Sequence, residues 1–207
     1  MFGFLKKKKK TIGALTDEDL KCLDVIILVD HSGSMNIESH RCLGTNRLGE
    51  VQEDVYKTAQ VAEKFDSDGL TVVPFSSGAQ VFDKVGSLNV ASTFKAFKPG
   101  GSTNLTAALE AAVAKAETSS KNVVVLVYTD GRPDSMASAK LVIERAGRDL
   151  GRPKIGFTFV QVGNDSEASA FLDELDTQMT VDLCATVRAE DATNLSFHQL
   201  AWLAQNA

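Results

Sequence analysis

Three short segments carry the side chains whose types and spacing suggest chemistry. They are Asp30-His31-Ser32-Gly33-Ser34, Gly100-Gly101-Ser102-Thr103 and Thr129-Asp130-Gly131. Together they offer two carboxylates and several hydroxyls, with no thiol or histidine pair beside them. An all-oxygen donor set suits a hard cation. Mg²⁺ takes near-octahedral oxygen at about 2.0–2.1 Å and keeps some of its waters. Asp30, Ser32 and Ser34 are spaced by two. A strand running into a tight turn can aim all three oxygens at one point. Gly33 leaves room for that turn, and Gly100-Gly101 does the same for Thr103. If the hydroxyls bind directly and the aspartates mostly through water, the charge of the ion is poorly neutralised. An Asp or Glu offered by a partner protein then completes it.

Each residue alone has a plainer use. Asp30 and Asp130 can cap helices or loops, and Ser32, Ser34 and Thr103 are ordinary turn residues. It is the conjunction that favours a metal site: Asp30, Ser32, Ser34, Thr103 and Asp130. His31 lies inside the first segment and reads as a solvent-facing rim residue. His40 with Cys42 supplies only two of the four ligands that zinc takes. His198 reads as a surface or boundary residue. Asp134, after Pro133 at a helix start, reads as a cap, and Arg132 as an exposed cation beside Asp130. Phe75, Phe94, Phe97 and Trp202 read as core aromatics.

The elements that must position these residues alternate along the chain. Asp24–Val29 reads as a strand buried on both faces. Helical spacing of Val51, Val55, Ala59, Ala62 and Phe65 predicts a helix over roughly 50–66. Leu70–Phe75 and Ala79–Val85 read as strands joined by Ser76-Ser77-Gly78, a link that suits a hairpin and so one antiparallel edge strand. Val90–Phe97 and the alanine-rich Asn104–Glu117 read as helices. Asn122–Thr129 reads as the central strand. After it come helix Asp134–Asp149, strand Lys154–Val162, helix Ser166–Leu175 and strand Val181–Ala185. Helix Phe197–Gln205 closes the chain, with Phe197, Leu200, Ala201 and Ala204 inward. The stretch Asn36–Gly49 is the longest irregular connection. Strands alternating with helices predict an α/β fold, a Rossmann-like, doubly wound, mainly parallel sheet with helices on both faces. Ligands bind such sheets at the carboxyl ends of the strands, and that rule lets the three segments sit at one edge of the sheet.

The 207 residues fit one domain, 21–207, preceded by a basic tail, 1–20. Net charge is −5; setting aside Lys6–Lys10 leaves 17 basic against 27 acidic residues from Thr11 onward. An acidic body argues against nucleic-acid binding, which needs a basic face. Phe2, Phe4 and Leu5 followed by the lysine run suggest contact with an anionic membrane surface, although a solvated, poorly ordered terminus is the simpler reading. The order of charge and apolar residues there is the reverse of a secretory signal, and no apolar run approaches a bilayer span. Cys22, Cys42 and Cys184 are odd in number and widely spaced, so buried thiols without disulfides are expected. These features predict a cytoplasmic protein, in which the sequons at Asn104, Asn164 and Asn194 carry no meaning.

DHSGS, the threonine of GGSTN and the aspartate of TDG resemble the metal-ion-dependent adhesion site (MIDAS) of the von Willebrand factor type A (vWA) domain family, in the same order and over nearly the whole chain, residues 22–206. The segment Phe159–Asp165 and the closing LSFHQL are similar to stand-alone intracellular microbial members. The resemblance implies that Ser32 and Ser34 bind the metal directly. It implies that Thr103 binds directly in a ligand-competent state and through water otherwise. Asp30 and Asp130 would orient waters and hold the two serines. It implies Mg²⁺, with Mn²⁺ or Ca²⁺ as substitutes, a protein partner supplying an acidic residue, and a binding module in place of an enzyme. An adaptor for an AAA+ ATPase or stress-response assembly is an alternative role. A Mg²⁺-dependent phosphohydrolase with Asp30 as nucleophile is disfavoured, because Ser32 stands where a second aspartate is needed and no P-loop, G-x-G-x-x-G or G-x-S-x-G is present.

Overall fold

Six runs rich in β-branched and aromatic residues form one sheet: β1 Leu23–Asp30, β2 Leu70–Phe75, β3 Phe82–Val85, β4 Asn122–Thr129, β5 Ile155–Gln161 and β6 Cys184–Val187. In this computed structural model, which describes residues 12–66 and 68–206, the strand order is β3-β2-β1-β4-β5-β6. Only β3 runs antiparallel. The chain leaves β1 toward one edge and later returns beside it as β4, so the order reverses between β1 and β4. That reversal opens a crevice at their carboxyl ends.

Alternation along each strand divides the core. Val25, Ile27 and Val29 of β1 and Val124, Leu126 and Tyr128 of β4 pack on one face. There they meet helices α2 (Arg47–Ala62) and α8 (Phe197–Asn206). Ile26 and Leu28, with Val123, Val125 and Val127, point the other way, toward α4 (Leu105–Thr118), α5 (Met136–Asp149) and α6 (Ser166–Gln178). Helices on both faces explain why β1 and β4 are nearly continuous in apolar residues. The described residues also form the short helices α1 (Asp17–Leu20), α3 (Val90–Lys95) and α7 (Ala189–Ala192). Side-chain caps begin the long helices. Asn46 accepts from the Gly49 amide, Asn104 from Ala107, Ser135 from Ser138, and Asp165 from Glu167 and Ala168.

The expected α/β architecture with one antiparallel edge strand is present. Strands Leu70–Phe75 and Asn122–Thr129 fall where sequence places them, and Phe197, Leu200, Ala201 and Ala204 are the buried residues of α8. Other boundaries differ. The third strand starts at Phe82, because Ser76 turns onto the Gly78 carbonyl and Ala79 makes only an isolated bridge to Phe75. The last strand is Cys184–Val187, later than Val181–Ala185. Val181 lies against Gly147 of α5, the Leu183 carbonyl accepts from the Phe157 amide, and the paired ladder with β5 begins where Cys184 meets Phe157. Trp202 is half-buried and lies against Gly13, unlike the buried Phe75, Phe94 and Phe97. Cys22 is exposed and Cys42 half-buried, so of the three cysteines only Cys184 is buried; no disulfide joins them.

Residues 12–20 lie against the domain: the Leu15 amide donates to the His198 carbonyl, Leu20 is buried, and His198 Nε2 sits 3.0 Å from Asp17. The lysine run Lys6–Lys10 and its suggested membrane contact lie outside the described residues. Among the described residues no helix is long and apolar enough to cross a membrane.

Candidate metal centre

The register of the sheet brings the first and third segments together. Asp30 ends β1 and Thr129 ends β4, on adjacent strands. Both Asp30 oxygens are engaged: Oδ1 accepts from the Ser32 amide at 2.8 Å and Oδ2 from the Thr129 hydroxyl at 2.7 Å. Asp30 has no exposed surface, and burial pushes its carboxyl up to about 6 against the lowering effect of those two donors; the neighbouring Asp130 charge adds to the rise.

Ser34 donates its hydroxyl to Asp130 Oδ1 at 2.8 Å. Its own proton is then committed, so the 3.1 Å contact between the two serine oxygens is donated by Ser32. Ser32 and Asp130 are buried, and Ser34 is half-buried. A 3₁₀ turn over Gly33–Asn36 curls the chain so that residues 32 and 34 present their oxygens side by side.

The second segment is held to the first by backbone. The Gly100 amide donates to the His31 carbonyl at 2.8 Å, and the Gly33 amide to the Gly101 carbonyl at 3.4 Å. Gly101 has φ +81°, and a Cβ there would come within 2.7 Å of Ser77 Oγ, so this sharp turn requires glycine. Thr103, half-buried, stands at its end; its amide donates to Asp134 Oδ1 at 2.9 Å and its carbonyl accepts from the Asp134 amide. Asp134 also accepts from the Ser102 hydroxyl at 2.7 Å. It therefore ties the 100–103 loop to the loop after β4, and the expected cap of α5 is Ser135 instead. Hydrogen bonds join Asp30, Ser32, Ser34 and Asp130 in two linked pairs, and Thr103 belongs to the cluster through its loop.

Sequence reasoning missed two members. Thr129 stands beside Asp130, and nothing in the sequence gives it a role. Arg47 falls inside the 36–49 stretch that reads as irregular, because the apolar spacing that predicts the helix starts at Val51, four residues after the helix begins; Asn46 as a cap is the available signal. Arg47 is buried, and its Nη1 donates to Asp130 Oδ2 at 2.6 Å. Two expectations for the histidines hold in part: His31 is half-buried, its Nδ1 2.9 Å from the Lys98 carbonyl, and His198 lies at the boundary. Arg132 is exposed.

The donor chemistry fits a hard cation. Among the described residues no group of three or more His, Cys, Asp or Glu is gathered to hold a metal ion, so a site here rests on hydroxyls. The 3.1 Å separation of the Ser32 and Ser34 hydroxyl oxygens is close to the edge of an octahedron with bonds of 2.0–2.1 Å, about 2.9 Å. Two buried carboxylates with one buried guanidinium leave one negative charge for a cation to balance. Gly33, Gly100 and Gly131, next to these residues, face open space, since a Cβ on any of them would meet nothing within 4 Å.

A family model for the vWA domain found in the TerF C terminus, vWA-TerF-like, matches residues 22–201. The chain belongs to that family. No curated protein matches it. Among solved structures, this vWA-TerF-like chain is similar to the D319A mutant of the PilB minor pilin from Streptococcus sanguinis (13% identity, TM-score 0.64, covering 86% of this chain and 58% of that one). It is similar to manganese-loaded TRAP from Plasmodium vivax (18%, TM-score 0.56, 84% and 72%). A von Willebrand factor type A protein from Catenulispora acidiphila aligns at 18% identity with TM-score 0.58, over 88% and 42%. The chain thus spans little more than half of the pilin and less than half of the Catenulispora protein. At these identities the likeness is one of fold, the Rossmann-like vWA sheet with its antiparallel edge.

Proposed function

We propose that this vWA-TerF-like domain is a Mg²⁺-dependent protein-interaction module that takes an Asp or Glu carboxylate of a partner at the mouth between β1 and β4. The observation that carries the reading is the pair Ser32 and Ser34, whose hydroxyl oxygens lie 3.1 Å apart, near the edge of an octahedron, with Asp130 holding Ser34 and open space beside Gly33, Gly100 and Gly131. Ser32, Ser34 and Thr103 would hold the ion, with Asp30 and Asp130 fixing the serines and bound waters. When bound, Mg²⁺ supplies a positive charge that uncharged hydroxyls do not neutralise, and the partner's carboxylate answers it. Mn²⁺ and Ca²⁺ are the substitutes to test, and TRAP is a fold neighbour described as manganese-loaded.

The chain's own residues do the positioning. Asp30 orders the Ser32 amide, Asp130 orients the Ser34 hydroxyl, and Asp134 holds the amide of Thr103. Asp30 is poorly placed to attack a phosphoryl group, since it is fully buried and both its oxygens are occupied. That supports a binding module over a hydrolase. An exposed thiol at Cys22 supports a reducing, cytoplasmic location.

Affinity capture in Mg²⁺ and in excess EDTA tests the reading. Partners should be retained with Mg²⁺ and lost with EDTA or with Ser32→Ala/Ser34→Ala, and the purified protein should not turn over phosphoesters. Retention that ignores EDTA and both substitutions would refute it, as would metal-dependent phosphoester turnover lost in Asp30→Asn.

A further inference from the structure

Arg47 is the first residue of α2, yet its side chain does not lie on the helix surface. Asn46 caps the helix, the Arg47 amide donates to the Ile37 carbonyl at 2.9 Å, and the guanidinium turns under the site to reach Asp130 Oδ2. Its side chain is 8% exposed and that of Asp130 is 0%. The fold makes a place for it. Gly163, after β5, has φ +67°, and a Cβ there would stand 2.7 Å from Arg47 Cζ and Nε and 2.8 Å from Nη2. The guanidinium thus lies against bare backbone, with Nε buried and unpartnered. Three elements, the start of α2 and the ends of β4 and β5, cooperate to hold one cation on one carboxylate oxygen while the other oxygen holds Ser34.

We infer that Arg47 is a positioning residue that sets how strongly this site holds a divalent cation and how strongly the loaded site demands a carboxylate from outside. The inference rests on the metal-site reading above and deepens it. The charge count explains the effect. Asp30 and Asp130 ionised, with Arg47, give a net −1; a divalent ion brings the site to +1, which one external carboxylate neutralises. Without Arg47 the same ion would be fully neutralised from within. A buried positive charge near the ion also opposes its entry, because screening by solvent is weak there. Arg47 therefore weakens metal binding on its own and strengthens the acidic partner's hold on the metal-bound form. In the metal-free protein the same residue keeps Asp130 in place and paired. Leaving that carboxylate buried and unpaired would be unfavourable.

The test compares wild type, Arg47→Met, Arg47→Lys and Ser32→Ala/Ser34→Ala. Each is titrated with Mn²⁺ by electron paramagnetic resonance and calorimetry. Acetate, as the carboxylate probe, is then added to the Mn²⁺-loaded protein, and binding is followed by water-proton relaxation. Arg47→Met should bind Mn²⁺ about tenfold more tightly than wild type or better, and its loaded form should bind acetate more weakly. Arg47→Lys, which keeps the charge, should stay near wild type. Melting temperatures guard against a folding defect: Arg47→Met should melt lower without metal and gain more on adding Mn²⁺ than wild type does. Even a variant unfolded without metal then supports the inference if Mn²⁺ restores its fold. Unchanged or weaker Mn²⁺ binding in a folded Arg47→Met overturns the role of Arg47 while leaving the metal site standing, provided the double serine variant loses Mn²⁺. If wild type and the double serine variant both fail to bind Mn²⁺, the site reading fails and this inference fails with it.

Discussion

The Thr129 hydroxyl donates a hydrogen bond to Asp30 across the β1–β4 boundary, 2.7 Å from oxygen to oxygen. The two residues are 99 positions apart in sequence, and the contact spans the point at which the strand order reverses. It links the fold to the site directly. Parallel pairing of Val29 with Tyr128 puts the two strand ends level, and the crevice between them is then lined by the last residues of each.

Thr129→Val removes that donor and keeps the shape of the side chain. It leaves Asp30 Oδ2 buried without its partner, which should cost about 2 kcal/mol of stability. Urea unfolding at pH 7 measures this; no change in midpoint would mean that solvent already satisfies the carboxylate.

The buried Asp30 carboxyl gives the metal-free protein a defined pH dependence. Its folded pKa is raised from 3.8 to about 6, so between those values the folded state holds more protons than the unfolded one. Stability should therefore fall as pH rises from about 4 through 6 and then level off, by about 2–3 kcal/mol in all. Asp30→Asn should lack this part of the slope, and added Mg²⁺ should stabilise wild type more at pH 7 than at pH 5. Parallel stability–pH curves for wild type and Asp30→Asn would rule this out.

Most of what positions the site could be read from residue order. The β-branched runs of β1 and β4, the 3.6-residue spacing of Val51, Val55, Ala59 and Ala62, and the glycines beside each hydroxyl all report local preferences, and those preferences agree with the fold. Features set by distant contacts were not legible. Nothing near Asp134 in sequence says that it will bridge to Ser102 and Thr103 in place of capping α5. Nothing near Arg47 says that its charge will be taken inside by a glycine 116 positions later. The late start of β6 has a similar origin: Val181 looks like a strand residue but lies against Gly147 of α5.

Gly163→Ala should be costly, because the new methyl group meets the Arg47 guanidinium on a left-handed backbone. Strain and overpacking together should remove about 3 kcal/mol. Gly131→Ala, in open space with nothing within 4 Å, should change stability by about 0.5 kcal/mol or less. Thermal unfolding of the pair checks the contrast, and equal losses would show that Gly163 is not shaped around Arg47.

The proposed function requires a hard cation on Ser32 and Ser34. Calorimetric titration of Mg²⁺ into wild type and into Ser32→Ala/Ser34→Ala, both shown to be folded by circular dichroism, tests it most directly. Saturable binding at one site is expected in wild type and none in the variant. Equal heats and equal affinity in the two proteins would contradict it.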